Sequence, residues 1–207
     1  MEREYLSSTK VCDIENPDIK MKSYLLTKNS YSEKQKAIDI FNFVRDEIKY
    51  RFDYSSTKAS ETLKKQYGNC FNKSNLQIAL LRSCGIYAGY KVYIIKKEVF
   101  FPIVPKDIYE LISQPTIHVS CVVFLDGRWI EADPTIDFEL YNHIYRNMEN
   151  WKYEEWNGEK DISLSKEYII ENQGIYSNID LYLLNPPKFW NDKLLKRVND
   201  FIEDLLK

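Results

Sequence analysis

Residues 116–135 read Thr116-Ile117-His118-Val119-Ser120-Cys121-Val122-Val123-Phe124-Leu125-Asp126-Gly127-Arg128-Trp129-Ile130-Glu131-Ala132-Asp133-Pro134-Thr135. Two runs of strand-forming residues flank Asp126-Gly127, the strongest short-range signal for a two-residue hairpin. With that pair as the loop, Leu125 faces Arg128. Each step back along one strand then matches a step forward along the other, so Ser120 lies opposite Asp133. His118 shares the face of Ser120 and sits diagonal to Asp133, about 7–8 Å away between backbones, a gap that side chains can close. A carboxylate bonded to an imidazole fixes its tautomer and stabilises imidazolium, the orienting role in a nucleophile, base and orienter arrangement. Pro134 biases Asp133 towards the extended backbone this needs.

Working outward, Ala88, Tyr90, Val92 and Ile94 alternate with Gly89, Lys91, Tyr93 and Ile95, the period of a second strand. Between it and the His118 strand, residues 97–115 carry three prolines and no steady period. We expect an irregular excursion with one helical turn, placed where it can line a cleft. Upstream, Tyr67-Gly68-Asn69-Cys70 gives a turn glycine and an Asn suited to cap a helix, and Ile78, Leu80 and Leu81 supply its apolar body until Gly85. A short helix is expected near Ser60–Gln66. Ser32-Glu33-Lys34-Gln35 reads as a capping box, and the spacing of Ala37, Ile38, Phe41, Val44 and Ile48 predicts a helix over about 32–49. Beyond Asp137 the aromatic-rich stretch with Trp151 and Trp156 shows no steady period. A charged amphipathic helix from about 190 to 206 closes the chain.

Of the four cysteines, Cys12, Cys70, Cys84 and Cys121, Cys70 alone starts a helix. The free amides and partial positive charge there favour a thiolate, as does a neighbouring imidazolium. The same amides can hydrogen-bond a developing oxyanion. Cys84, late in that helix, has the reverse environment. Four cysteines are too few for a disulfide framework, so free thiols are expected. A zinc site from His118 and Cys121 fails because residues three apart in a strand point to opposite faces. His143, outside the pattern, is expected on the surface.

Gly68-Asn69-Cys70, then Leu80-Leu81-Arg82-Ser83-Cys84-Gly85-Ile86, then His118, Gly127-Arg128-Trp129 and Asp133-Pro134-Thr135, taken as an ordered set, resemble the transglutaminase-like superfamily over roughly residues 35–137. The resemblance implies an α+β, papain-like fold, with the Cys70 helix packed on an antiparallel sheet. It places Cys70 on the family's nucleophile, His118 on its base and Asp133 on its orienting acid. Where family members often carry an aromatic residue two after the histidine, this chain has Ser120, which leaves the lining of the acyl site open. The family's second oxyanion donor lies upstream of the cysteine, and neither Gln66 nor Tyr50 is matched to it.

At 207 residues and 44% hydrophobic the chain can bury about 70% of its unfolded surface, and we expect a single domain spanning 1–207 with a C-terminal extension over 138–207 that could cap the cleft. Lysine plus arginine total 29 against 31 aspartate plus glutamate, a net charge of -2. That balance offers no attraction to nucleic acid or anionic membranes. Met1–Tyr5 shows no secretory leader and no run is long enough to span a membrane, so a cytoplasmic protein is expected. The implied activity is thiol acyl chemistry on a peptide or protein substrate, needing no cofactor or metal. Hydrolysis is favoured over transfer to an amine, and a non-catalytic peptide-binding scaffold is the competing reading. Nothing in the sequence sets the oligomeric state.

Overall fold

The computed structural model of the chain describes residues 2–149, 151–183 and 189–207; Met1 of the N-terminal reading, and residues 150 and 184–188 of the C-terminal part, lie outside them. The helices are α1 (Pro17–Thr27), α2 (Glu33–Asn42), α3 (Ala59–Lys65), α4 (Cys70–Ser83), α5 (Lys106–Tyr109), α6 (Phe138–Leu140) and α7 (Asp192–Leu205). The strands are β1 (Lys49–Tyr50), β2 (Tyr67–Gly68), β3 (Ala88–Ile95), β4 (Thr116–Leu125), β5 (Arg128–Glu131) and β6 (Ile169–Tyr176). β5, β4, β3 and β6, in that order, form an antiparallel sheet, and β1 pairs parallel with β2. The fold is α+β, with the Cys70 helix packed on the sheet.

The hairpin has the expected register: Leu125 pairs with Arg128 and Val122 with Glu131. Asp126 and Gly127 sit at φ 50° and 84°, the left-handed backbone that glycine adopts freely and aspartate tolerates. One face of the sheet, with Ala88, Tyr90, Val92, Val119, Cys121, Val123 and Ile130, packs with Leu76, Ile78, Ala79, Leu80 and Leu81 of α4 in the main core. A second apolar cluster joins Tyr50, Phe52, Ile103, Ile108 and Tyr145 to Leu195, Val198 and Ile202 of α7.

α4 is buried from Asn72 through Arg82, so its polar side chains must find partners inside the protein. Ser74 Oγ donates to Val119 O at 3.0 Å, Gln77 Nε2 to Ala132 O at 3.0 Å and Asn75 Nδ2 to Val11 O at 2.9 Å. The first two acceptors are the carbonyls next in sequence to His118 and Asp133. They pin the helix to the two strands that carry those residues.

Several elements differ from the sequence expectation. The helix expected over 32–49 ends at Asn42, passes through a wider turn over Phe43–Glu47 and leaves as β1, whose register is held by Lys49 N to Gln66 O at 2.9 Å and Arg51 N to Gly68 O at 3.1 Å. Ser32 caps α2 through the Gln35 amide at 3.1 Å, but the Gln35 side chain turns to Asp39 at 2.9 Å instead of closing the capping box. α1 was not expected. It leaves Met21, Tyr24 and Leu25 exposed and buries Ile19, Ser23 and Thr27, so it carries no apolar stripe to read. β6 was not expected either, since its Glu171-Asn172-Gln173-Gly174 is polar; it is an edge strand held to β3 with two register shifts. No helix among the described residues is long and apolar enough to cross a membrane.

Candidate active site

Cys70 is placed by its helix cap. Asn69 Oδ1 accepts from the amides of Phe71 at 3.0 Å and Asn72 at 3.3 Å, and Asn72 Oδ1 returns the bond to the Asn69 amide at 3.0 Å. The Cys70 amide is not among those the cap engages, and it points from the positive end of α4. The glycine two residues earlier is required by contact: a Cβ at Gly68 would lie 2.5 Å from Asn72 Cβ. β2 and the first turn of α4 pack too closely there for any side chain.

His118 is the third residue of β4 and is buried. Its Nε2 bonds Asp133 Oδ2 at 2.7 Å, leaving Nδ1 outside that bond, and Cys70 lines the same cleft as the ring, near enough to help raise it. Burial works against imidazolium, but the charge and hydrogen bond of Asp133, with contributions from Cys70, outweigh it and raise His118 well above its usual range. Asp133 is itself held below the usual carboxylate range: burial opposes ionisation, and His118 and the Thr135 donors overcome it. Thr135 supplies its amide at 3.0 Å and its hydroxyl at 2.5 Å to Asp133 Oδ1. The structure therefore brings together the three residues singled out in the sequence.

The other thiols are not in this setting. Burial pushes Cys12 and Cys121 up, and Cys121 points into the core from the face of β4 opposite to His118. Cys84 caps the far end of α4, 2.6 Å from Ser23 Oγ. All four are free. Among the described residues no cluster of three or more His, Cys, Asp or Glu could hold a metal. His143 is exposed.

Cys70, His118 and Asp133 open onto a cleft of about 410 Å³. Val99, Phe100 and Ile103 from the excursion line one side, as its position suggested, and Trp151, Tyr153 and the segment 161–166 line another. Trp156, grouped with Trp151 in the sequence reading, is not in the wall: it packs on Phe41 at 5.2 Å in the main core, its indole N–H given to Lys160 O at 2.9 Å. Tyr50 lies in the cleft wall with Cys70, whereas Gln66 ends α3 in a left-handed conformation and does not line it. Burial, then the nearby Cys70, raise Tyr50 well above its usual value, so its hydroxyl remains a neutral donor.

Sequence reasoning missed three contributors. Ser120 does not line the acyl site; it is fully buried and donates to Glu131 Oε1 at 2.5 Å. Glu131 was not singled out, although its place two residues before Asp133 puts it on the His118 face of the sheet. The segment around Ile162 is stitched beside β5 by Ile162 N to Glu131 O at 2.9 Å and Asp133 N to Ile162 O at 3.0 Å, a pairing too short to leave a periodic signal.

The family model for the transglutaminase-like superfamily matches residues 21–134, beginning within α1 and ending three residues short of the expected core's boundary at 137. The crystal structure of a candidate cysteine protease from Cytophaga hutchinsonii aligns with a TM-score of 0.50 at 21% identity, covering 63% of this chain and 40% of that one. A candidate protease from Parabacteroides distasonis aligns at 12% identity and a TM-score of 0.42, over 63% of this chain and 24% of that one. This chain thus spans less than half the length of either, and the first likeness speaks for the fold. No curated protein matches.

Proposed function

Because the chain belongs to the transglutaminase-like superfamily, whose model matches more than half of it, we propose that it is a thiol-dependent hydrolase of peptide or protein amides with Cys70 as nucleophile, His118 as base and Asp133 as orienter. The observation that carries the reading is the His118–Asp133 bond in the same cleft as Cys70, which stands at the start of a helix. His118, held as imidazolium beside Cys70, favours thiolate. The sulfur attacks an amide carbonyl, and the oxyanion is met by the Cys70 amide and the Tyr50 hydroxyl. His118 then gives its proton to the leaving amine as the tetrahedral intermediate collapses to a thioester. Water, deprotonated by the now neutral imidazole, attacks the thioester and releases the acid. Asp133 keeps Nε2–H in place throughout, so Nδ1 is the atom that exchanges the proton.

Hydrolysis is preferred to amine transfer because a thioester partitions between water and whatever amine the cleft admits. Transfer needs a site that excludes water and seats a lysine. The described cleft wall carries charged side chains of both signs, Arg45, Lys152, Lys166, Glu154 and Asp161, and is open to solvent water. Incubation with a peptide library in oxygen-18 water tests the reading. Expected are cleaved or deamidated products that carry the label and vanish in Cys70→Ala. Amine adducts dominating at millimolar amine would move the assignment to acyl transfer. Peptide binding without any Cys70-dependent product would make the chain a scaffold.

A further inference from the structure

Behind His118, on the sheet face turned away from α4, the register of β3, β4 and β5 gathers Lys91, Tyr93, His118, Ser120 and Glu131, with Asp133 just beyond. Glu131 is buried, and each of its carboxyl oxygens accepts one hydroxyl: Ser120 Oγ at 2.5 Å and Tyr93 OH at 2.6 Å. The Tyr93 ring lies nearly parallel to the His118 ring, at 19° with centroids 6.4 Å apart. The Glu131 amide donates to Asp161 in the cleft wall at 2.8 Å. No ion pair to Glu131 occurs among the described residues. The charge that bears on it is that of His118; Lys91, paired in register with Ser120, has its amine 5.9 Å from the centre of the Tyr93 ring. A buried carboxyl furnished with two hydroxyl donors and no direct ion pair among the described residues is a costly thing to keep for packing alone.

We propose that Glu131 is a positioning residue for His118: it fixes Tyr93 against the imidazole, and, as a second carboxyl beside Asp133, its protonation sets how strongly the imidazolium form is held. The groups that bear on it are Tyr93 and Lys91 from β3, Ser120 and His118 from β4, Asp133 following β5, and Asp161 from the adjoining segment. Burial pushes the Glu131 carboxyl up to about 7; the Ser120 and Tyr93 donors and the His118 charge counteract that, and Asp133 adds to it. The carboxyl thus changes charge in the neutral range. Above that point the imidazole has two carboxylates behind it; below, one.

The proposal rests on His118 acting with Cys70, and it is tested on His118 directly, without a substrate. The chain has 2 histidines, and the other, His143, is exposed, so a histidine-labelled sample gives two resolvable ring titrations by NMR. In the wild type, His118 should show an inflection near pH 7 from Glu131 before its own loss of a proton at higher pH. In Glu131→Gln the inflection should disappear, and the His118 titration should move down by about one pH unit, the order expected when a unit charge facing the ring is removed from a protein interior. Superimposable His118 curves in two folded proteins overturn the proposal. Should Glu131→Gln not fold, Tyr93→Phe keeps the ring and removes one donor. The inflection must then rise in pH, and an unmoved one overturns the proposal equally. A Cys70 labelling rate left unchanged by His118→Ala would instead defeat the thiol-acyl reading itself.

Discussion

Asp133→Asn asks whether the bond between Asp133 and His118 orients a base or only fills a buried corner. The substitution keeps the size of the side chain, and its carbonyl oxygen can still accept both Thr135 donors. What changes is the atom 2.7 Å from His118 Nε2, from an accepting carboxylate oxygen to a donating amide. The ring must then accept at Nε2 and carry its proton on Nδ1, facing Cys70, where it can no longer take one from the thiol. Removing one partner of a buried ion pair costs about 3–5 kcal/mol, so the imidazolium–thiolate state should lose 10²- to 10³-fold in population or more. Iodoacetamide labelling of Cys70 at pH 6, where thiolate limits the rate, should slow by that factor. Stability should respond in a defined window. His118 is raised, so its contribution is fully present below its unfolded value of about 6.5 and fades as pH climbs through the folded value; Asp133 is lowered, so its share is present above about 3.9 and fades as pH falls through the folded value. The gap in melting temperature between wild type and variant should therefore be widest between about pH 4 and 6.5. A large loss of stability with an unchanged labelling rate would refute the reasoning and make Asp133 structural.

Other substitutions test how the site is positioned. Gly68→Ala should cost about 1–3 kcal/mol of stability and slow Cys70 labelling, because the added methyl would lie 2.5 Å from Asn72 Cβ, the side chain that completes the cap; a variant that melts and reacts like the wild type would contradict this. Gln77→Leu and Ser74→Ala, by freeing the carbonyls beside Asp133 and His118, should each cost about 1–3 kcal/mol in chemical denaturation and lower the labelling rate of Cys70, whereas loss of stability alone would show that the ties do not set the site. Lys73, fully buried on α4 with its amine on Arg45 O at 2.9 Å, is pulled down to about 8, chiefly by burial. Its unfolded form binds more protons, so wild-type stability relative to Lys73→Met should rise by about 2 kcal/mol from pH 7 to 9.5; a pH-independent difference would mean that burial does not pull the amine down.

How much could be read in advance follows from where each signal lives. The hairpin was legible to the residue because a two-residue Asp-Gly loop leaves no freedom of register, and that register alone put Asp133 on the His118 face. The Cys70 helix was legible from its cap and from the glycine that ends it, at φ 78°. Whether Cys70 meets His118 was not, since contact between α4 and β4 depends on Ser74 and Gln77 bonding backbone carbonyls, and any carbonyl can serve. Ser120 read as a departure from the family pattern; only with Glu131 and Tyr93 in place does it become one side of a polar cluster. Trp156 and Trp151 looked alike in an aromatic stretch without period. One enters the core and the other the cleft.

The central claim is that Cys70 is the nucleophile, made reactive by His118. The most direct measurement is the rate of iodoacetamide labelling at each of the four cysteines in the folded protein at pH 6, read peptide by peptide in the wild type and in His118→Ala. The account predicts that Cys70 is labelled far faster than Cys12, Cys84 and Cys121, and that His118→Ala removes the difference. Faster labelling at any other cysteine, or a Cys70 rate untouched by loss of His118, would contradict it.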